Sequence, residues 1–124
     1  MRRRLTSSFK YAFEGVLYVL KTQPNMKIHF AVGLLAVIAG FFFRLSACEW
    51  LALVIVIGFV MILEVVNTAV ETLVDLYTEE YHHLAKISKD TAAGAVLLMA
   101  IVSVVVGLII FLPKVWALAQ TVLH

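Results

Sequence analysis

Apolar and polar positions divide this chain into one striped segment followed by three long apolar runs. The first run extends over about residues 28–43, the second over about 50–73, and the third over about 92–112 with an apolar continuation toward Val122. A helix needs roughly 20 residues to cross the hydrocarbon core of a bilayer. The second and third runs meet that length. The first is shorter, and His29 near one end and Arg44 at the other suit it as side chains that snorkel to the two interfaces. Ahead of these runs, Phe9, Phe13, Val16, Leu17 and Leu20 recur at i, i+4, i+7, i+8 and i+11. That period places them on one stripe of a helix over about residues 7–21, lying in the membrane interface. Lys10, Glu14 and Lys21 interrupt the segment, so the N-terminal arginines do not introduce a signal-peptide core. Pro24-Asn25 marks the turn into the first span. The pattern predicts an all-α membrane protein, a surface helix plus three transmembrane helices, in a single domain over residues 1–124.

Composition agrees with the pattern and excludes an ordinary soluble domain. Hydrophobic residues make up 63% of the 124 residues and charged residues 15%, against roughly 45–50% and 25% in soluble proteins. The net charge of +2 matters through its placement. Arg2, Arg3, Arg4, Lys10, Lys21 and Lys27 precede the first span, and Lys86 and Lys89 lie between the second and third. Only Arg44 and Lys114 fall on the opposite side. The imbalance predicts a cytoplasmic N-terminus, a cytoplasmic segment from Asp75 to Asp90, and an external C-terminus in the cell membrane. The single Cys48 rules out an internal disulfide. Phe41, Phe42, Phe43, Trp50 and Trp116 read as an interfacial aromatic belt.

Glu64, Asn67 and Glu71 change the picture. At i, i+3 and i+7 they share one helical face, on a helix whose preceding residues, Trp50 to Leu63, carry no charge. An acid at the bilayer centre costs at least ~2.5 kcal/mol, so two acids and an amide require compensation from a metal, a phosphate ligand or a neighbouring helix. Adhesion between helices is the plain reading, but serine, threonine or asparagine suffices for that. Acid–base work by one carboxylate and metal or phosphate contacts by the other fit better. The segment Asp75–Asp90 reads on its own as a solvated connector. Asp90 suits an N-cap of the third span, and Lys89 beside it suits a phosphate contact. His82 and His83 with Glu79 and Glu80 make a poor metal site, because adjacent helical histidines point apart. No Gly-rich phosphate loop, nucleophile elbow or zinc spacing occurs.

The run Glu64-Val-Val-Asn-Thr-Ala-Val-Glu71 closely resembles the E-x-x-N-[ST]-A-x-E signature of the prokaryotic diacylglycerol kinase and undecaprenol kinase family. Glu80-Tyr-His82 and Lys89-Asp90, followed by the Ala/Gly-rich start of the third span, match in order and spacing, and the resemblance covers nearly the whole chain. It implies a small homotrimeric membrane kinase that transfers the γ-phosphate of ATP, with Mg2+, to the hydroxyl of a membrane lipid, at sites shared between subunits. Nucleic acid is not an expected partner. On that resemblance Glu64 is the general base, Glu71 the magnesium carboxylate and a nucleotide contact, and Asn67 a site-ordering residue. Glu80, Tyr81, His82, Lys89 and Asp90 match nucleotide-contacting positions, as do Arg4 and Tyr11 upstream.

One position departs from the family pattern. Where relatives often carry a second metal-binding carboxylate before the first span, this chain has Gln23, whose carbonyl offers an oxygen but no charge. The Ile28-His29 entry to the first span and the run from Lys89 resemble the undecaprenol branch more than the diacylglycerol branch. Undecaprenol is therefore the expected acceptor, with diacylglycerol as the alternative. A small multidrug transporter is the contrasting class. It predicts four spans and an acid deep in the first helix, where this chain has three spans and none there.

Overall fold

The computed structural model describes residues 5–123. Four helices follow one another: α1 (Leu5–Thr22), α2 (Pro24–Phe42), α3 (Ala47–Tyr77) and α4 (His83–Leu123), with no strand among the described residues. The last three are long and apolar enough to cross a membrane. At 1.5 Å per residue, α2 with 19 residues is about as long as the hydrocarbon core is thick, whereas α3 with 31 and α4 with 41 overshoot it by several turns. Their polar ends therefore stand clear of the apolar layer.

Each boundary has a local cause. Gln23 is extended (φ −97°, ψ 115°), as the residue before a proline must be, and Pro24 opens α2 at a position that needs no N–H. Only that one residue separates α1 from α2, and the Gln23 N–H still donates to the Val19 carbonyl at 2.9 Å. Ser46 caps α3 reciprocally with Glu49: the Ser46 N–H donates to Glu49 Oε2 at 2.8 Å, and the Glu49 N–H to Ser46 Oγ at 3.3 Å. Pro113 sits within α4 without ending it.

The second apolar run extends further than its composition suggested. Residues 75–90, read as a connector, are mostly helical; α3 continues to Tyr77 and α4 begins at His83. The cap of α4 is consequently His82, whose Nδ1 accepts the Leu84 N–H at 3.2 Å and whose carbonyl accepts the Lys86 N–H at 3.0 Å. Asp90 is not a cap. It lies inside α4 and pairs with Lys86 one turn back, the ordinary i,i+4 use of opposite charges.

The helices pack through narrow stripes. On α2 the buried positions are Met26, Gly33 and Gly40, seven residues apart. A Cβ at Gly33 would meet Ile57 Cγ2 at 3.0 Å, and one at Gly40 would meet the Trp50 ring at 2.7 Å. These glycines are what let α2 lie close on α3. On α3 the buried stripe runs Leu53, Val56, Val60, Glu64, Asn67 and Thr68, so the polar residues are the continuation of the apolar packing face. α1 rests against both α2 and α3. Its Val19 is buried, while Phe9 and Phe13 are exposed, as suits a helix with an apolar side turned to an interface.

Candidate active site

Glu64 is buried because helical periodicity puts it one turn beyond Val60 on the face that α2 covers. It is 1% exposed, and Asn67 is 5%. Threonine hydroxyls bond to the backbone around them: Thr68 Oγ1 donates to the Glu64 carbonyl at 2.9 Å and Thr72 Oγ1 to the Thr68 carbonyl at 2.8 Å. Glu64 Oε2 and Asn67 Oδ1 are buried acceptors with no hydrogen-bond donor. Buried polar atoms are nearly always paired, since an unpaired one costs ~1–3 kcal/mol. Two adjacent acceptors of this kind mark a site built for something that brings donors or positive charge.

Glu71 follows one turn further along α3. The Asn67 amide donates to Glu71 Oε1 at 3.4 Å, so the amide orients the second carboxylate while its own oxygen stays available. Glu71 lies within electrostatic reach of both Glu64 and Lys89. Lys89, from the first turns of α4, donates to Asp75 Oδ1 at 2.5 Å. The three stripe residues and Lys89 thus come together, with Asp75 holding the lysine at the edge.

Other expected residues stand apart from this cluster. Glu80, Tyr81 and His82 form the exposed turn between α3 and α4, where an open cleft of about 750 Å³ is bordered by Asp75, Thr78 and Glu80. Tyr11 is on α1 and 53% exposed. Gln23 sits at the α1–α2 junction, its Nε2 donating to Thr22 Oγ1 at 3.4 Å. Arg4 lies outside the described residues.

His29 was read from sequence as an interfacial side chain, and the structure corrects that reading. Its Nε2 is 3.9 Å from Glu64 Oε2, with the imidazole only 19% exposed. The signal was present in the spacing. Met26, Gly33 and Gly40 mark the face of α2 that touches α3, and His29 is three residues from Met26 on that same face. From His29 an apolar cavity of about 360 Å³ runs along the bundle between α2, α3 and α4, past Gly33, Val60 and Ser103 to Phe111.

A buried carboxylate with an unpaired acceptor, next to a histidine that lines an apolar cavity and followed along α3 by a second acid within reach of a lysine, suits phosphate transfer to a lipid headgroup. Comparison with known proteins agrees. The profile of the prokaryotic diacylglycerol kinase family matches residues 10–111. The chain belongs to that family. It is 43% identical over 111 residues to the undecaprenol kinase of Bacillus subtilis, covering 90% of each chain. It is 46% identical over 115 residues to a diacylglycerol kinase of Synechocystis, covering 92% of this chain and 66% of that one. The diacylglycerol kinase of Escherichia coli K12 is more distant, at 29% identity over 102 residues, 82% of this chain and 84% of the relative. Membership makes the chain a multi-pass membrane lipid kinase, an ATP-dependent phosphotransferase, and sets the transporter reading aside.

Proposed function

We propose that this single kinase domain phosphorylates a long-chain polyprenyl alcohol, undecaprenol or a close analogue, at the cytoplasmic face of the cell membrane. One observation carries the reading: Glu64 is a buried carboxylate whose Oε2 has no donor, 3.9 Å from the His29 imidazole that lines one end of an apolar cavity. An alcohol supplies the missing donor, and its hydrocarbon tail suits the cavity. A lipid is already confined to the bilayer, so part of the entropic cost of bringing two reactants together is met before binding. Diacylglycerol is the second acceptor, favoured by the Synechocystis relative's name. The similarity of this chain to the Bacillus subtilis undecaprenol kinase over 90% of both chains favours the first.

In the proposed reaction Glu64 takes the proton of the acceptor hydroxyl. The freed lone pair forms the new bond to the γ-phosphorus, the β–γ bridging bond breaks, and its electrons leave with ADP. Glu71, oriented by Asn67, would hold magnesium together with the phosphates. Among the described residues no three His, Cys, Asp or Glu side chains gather as a metal site. Such a donor set fits magnesium, which commonly takes one or two carboxylates and completes its shell with phosphates and water. Bound there, the ion would neutralise charge on the transferring phosphoryl group. Gln23 is assigned as a weak oxygen donor toward the same ion. Lys89 turns from Asp75 to phosphate as nucleotide binds, with Asp90, Glu80, Tyr81, His82, Tyr11 and Arg4 around the nucleotide.

The working unit is a homotrimer, since three narrow spans cannot by themselves surround two carboxylates and a bound nucleotide, and neighbouring subunits would complete the site. Purified protein in lipid, given labelled ATP and a panel of polyprenols, diacylglycerols and ceramides, tests the acceptor. Undecaprenol should give the highest kcat/KM; preference for diacylglycerol would reverse the assignment. Mixing inactive Glu64→Gln and Lys89→Ala subunits tests sharing, with recovery of activity as the expected result.

A further inference from the structure

The mechanism above leaves one buried polar group unused. His29 projects from α2 into the head of the apolar cavity and faces Glu64 across 3.9 Å. That distance is too long for a hydrogen bond between the two. It suits a third atom. One hydroxyl oxygen seated beside both lies within ordinary hydrogen-bond reach, about 2.8 Å, of each. His29 is also the one titratable side chain in the wall of that cavity, whose other polar side chain, Ser103, donates to the Met99 carbonyl at 2.6 Å.

We propose that His29 is the second contact of the acceptor alcohol, donating its Nε2–H to the hydroxyl oxygen while the hydroxyl proton points at Glu64. The proposal rests on the lipid-kinase reading and on Glu64 as its base. The hydroxyl then sits in a two-point clamp, donor to one side and acceptor to the other, at the mouth of the cavity that takes its tail. As the proton passes to Glu64, negative charge grows on the oxygen, and the imidazole N–H facing it favours that growth. His29 keeps its own proton throughout. A diol such as a monoacylated glycerol brings a second oxygen to the same spot, so His29 also bears on which alcohols are accepted.

The geometry on both sides of the clamp is fixed by packing. Met26, one turn before His29, is 1% exposed, and Gly33, one turn after, is the close-approach point against Ile57. The stretch of α2 that carries the imidazole is thereby packed one turn to either side of His29. A side chain with only a packing role at this position needs no polar atom, since the cavity beyond it is lined by apolar groups.

The test compares His29→Leu, which fills the space without a donor, with His29→Gln, which keeps an N–H at similar reach. Kinetics are measured in lipid with a long-chain alcohol varied at saturating ATP, and with ATP varied at saturating alcohol. His29→Leu should lose on the order of 10–100-fold in kcat/KM for the alcohol while KM for ATP stays within twofold. His29→Gln should recover most of that loss. Near-wild-type turnover in His29→Leu overturns the proposal, and so does equal loss in the two variants, which would indicate a charge or packing role. Should His29→Leu not assemble, His29→Phe replaces it in the same comparison. Glu64→Gln is run alongside: activity there fails the base assignment itself, whereas an inactive Glu64→Gln with an unaffected His29→Leu fails this inference alone.

Discussion

Two glutamates of α3, one in its first turn and one midway along it, are treated in opposite ways. At the aromatic end, Glu49 accepts the Ser46 N–H and receives Lys114 Nζ from α4 at 3.0 Å. Both of its oxygens are engaged, and the side chain is 31% exposed. Midway along the helix, Glu64 is almost fully enclosed, yet one oxygen has no donor. The first acid ends a helix and ties two helices together. The second has the enclosure of a structural residue without the partners of one. In a membrane helix that combination is costly, and a lipid kinase has a use for it. The contrast separates the two acids by their partners rather than by their depth, and the unpartnered one is the acid that the proposed reaction uses.

The strongest way to break the comparison is to neutralise each acid in turn. Glu64→Gln preserves shape and removes the proposed base, so kcat should fall by about 10²–10⁴ or more, with oligomer formation and expression unchanged. Glu49→Gln should leave kcat within about twofold and lower the thermal midpoint slightly, because glutamine keeps the capping box and only the ion pair with Lys114, worth about 0–1 kcal/mol, is lost. Labelled-phosphate transfer and thermal unfolding in detergent, run on both proteins, read the two effects separately. Activity in Glu64→Gln, or loss of turnover in Glu49→Gln, would collapse the distinction.

Magnesium dependence sharpens it next. Glu71→Gln removes the one carboxylate placed with Asn67, so the magnesium needed for half-maximal activity should rise by about tenfold or more, since affinity for a hard cation follows the charge of its oxygen ligands. Gln23→Glu adds a charge at the α1–α2 junction and should lower the requirement by a smaller factor. An unchanged titration for Gln23→Glu would leave this residue with its structural task alone, the extended step into Pro24.

Packing should respond less than chemistry but more than the Glu49 ion pair. Gly40→Ala puts a methyl 2.7 Å from Trp50 Cη2 and 3.1 Å from Leu45 Cδ1, in a corner also bounded by the Phe41–Trp50 ring pair at 4.8 Å. Overpacking of this kind costs ~1–3 kcal/mol. Gly58→Ala, where a methyl meets nothing within 4 Å, is the control. Thermal midpoints should fall for the first and hold for the second, with kcat of the folded fraction preserved in both.

Much of this was legible in the sequence, and the exceptions share a cause. The three spans, the surface helix and the Glu64–Asn67–Glu71 stripe follow from periodicity, which is local to one helix. The Ser46-Ala-Cys-Glu49 capping box carries an S-x-x-E pattern ahead of an apolar run, a local signal that the sequence reading left unused. Asp90 misled because a cap was sought where the apolar run begins, whereas α4 begins two turns earlier at His83. His29 and Asp75 were missed for a different reason: their meaning lies in a partner on another helix. A lone histidine at the start of a span reads as interfacial until Met26, Gly33 and Gly40 are seen to define a contact face. Pairings between helices are long-range facts, and polarity along one helix does not encode them.

The smallest predicted effect concerns the turn that joins α2 to α3. Arg44 adopts φ 52°, the left-handed region, and is the one non-glycine residue with positive φ among those described. Its N–H donates to the Phe41 carbonyl at 3.3 Å and the Leu45 N–H to the Gly40 carbonyl at 3.1 Å. These two bonds make a Schellman motif with Arg44 at the position glycine usually fills. Backbone strain there favours Arg44→Gly, partly offset by the greater freedom of glycine in the unfolded chain. The arginine also places a positive charge at the aromatic end of the bundle, where a headgroup contact would favour keeping it. Arg44→Ala separates these effects, because it removes the charge and keeps the strain. If strain dominates, Arg44→Gly gains about 0.5–1 kcal/mol in detergent unfolding and Arg44→Ala gains nothing. An equal fall in both variants would show that the charge outweighs the backbone. Turnover should be unchanged throughout, since this corner precedes the start of α3 and Glu64 lies about five turns further along that helix.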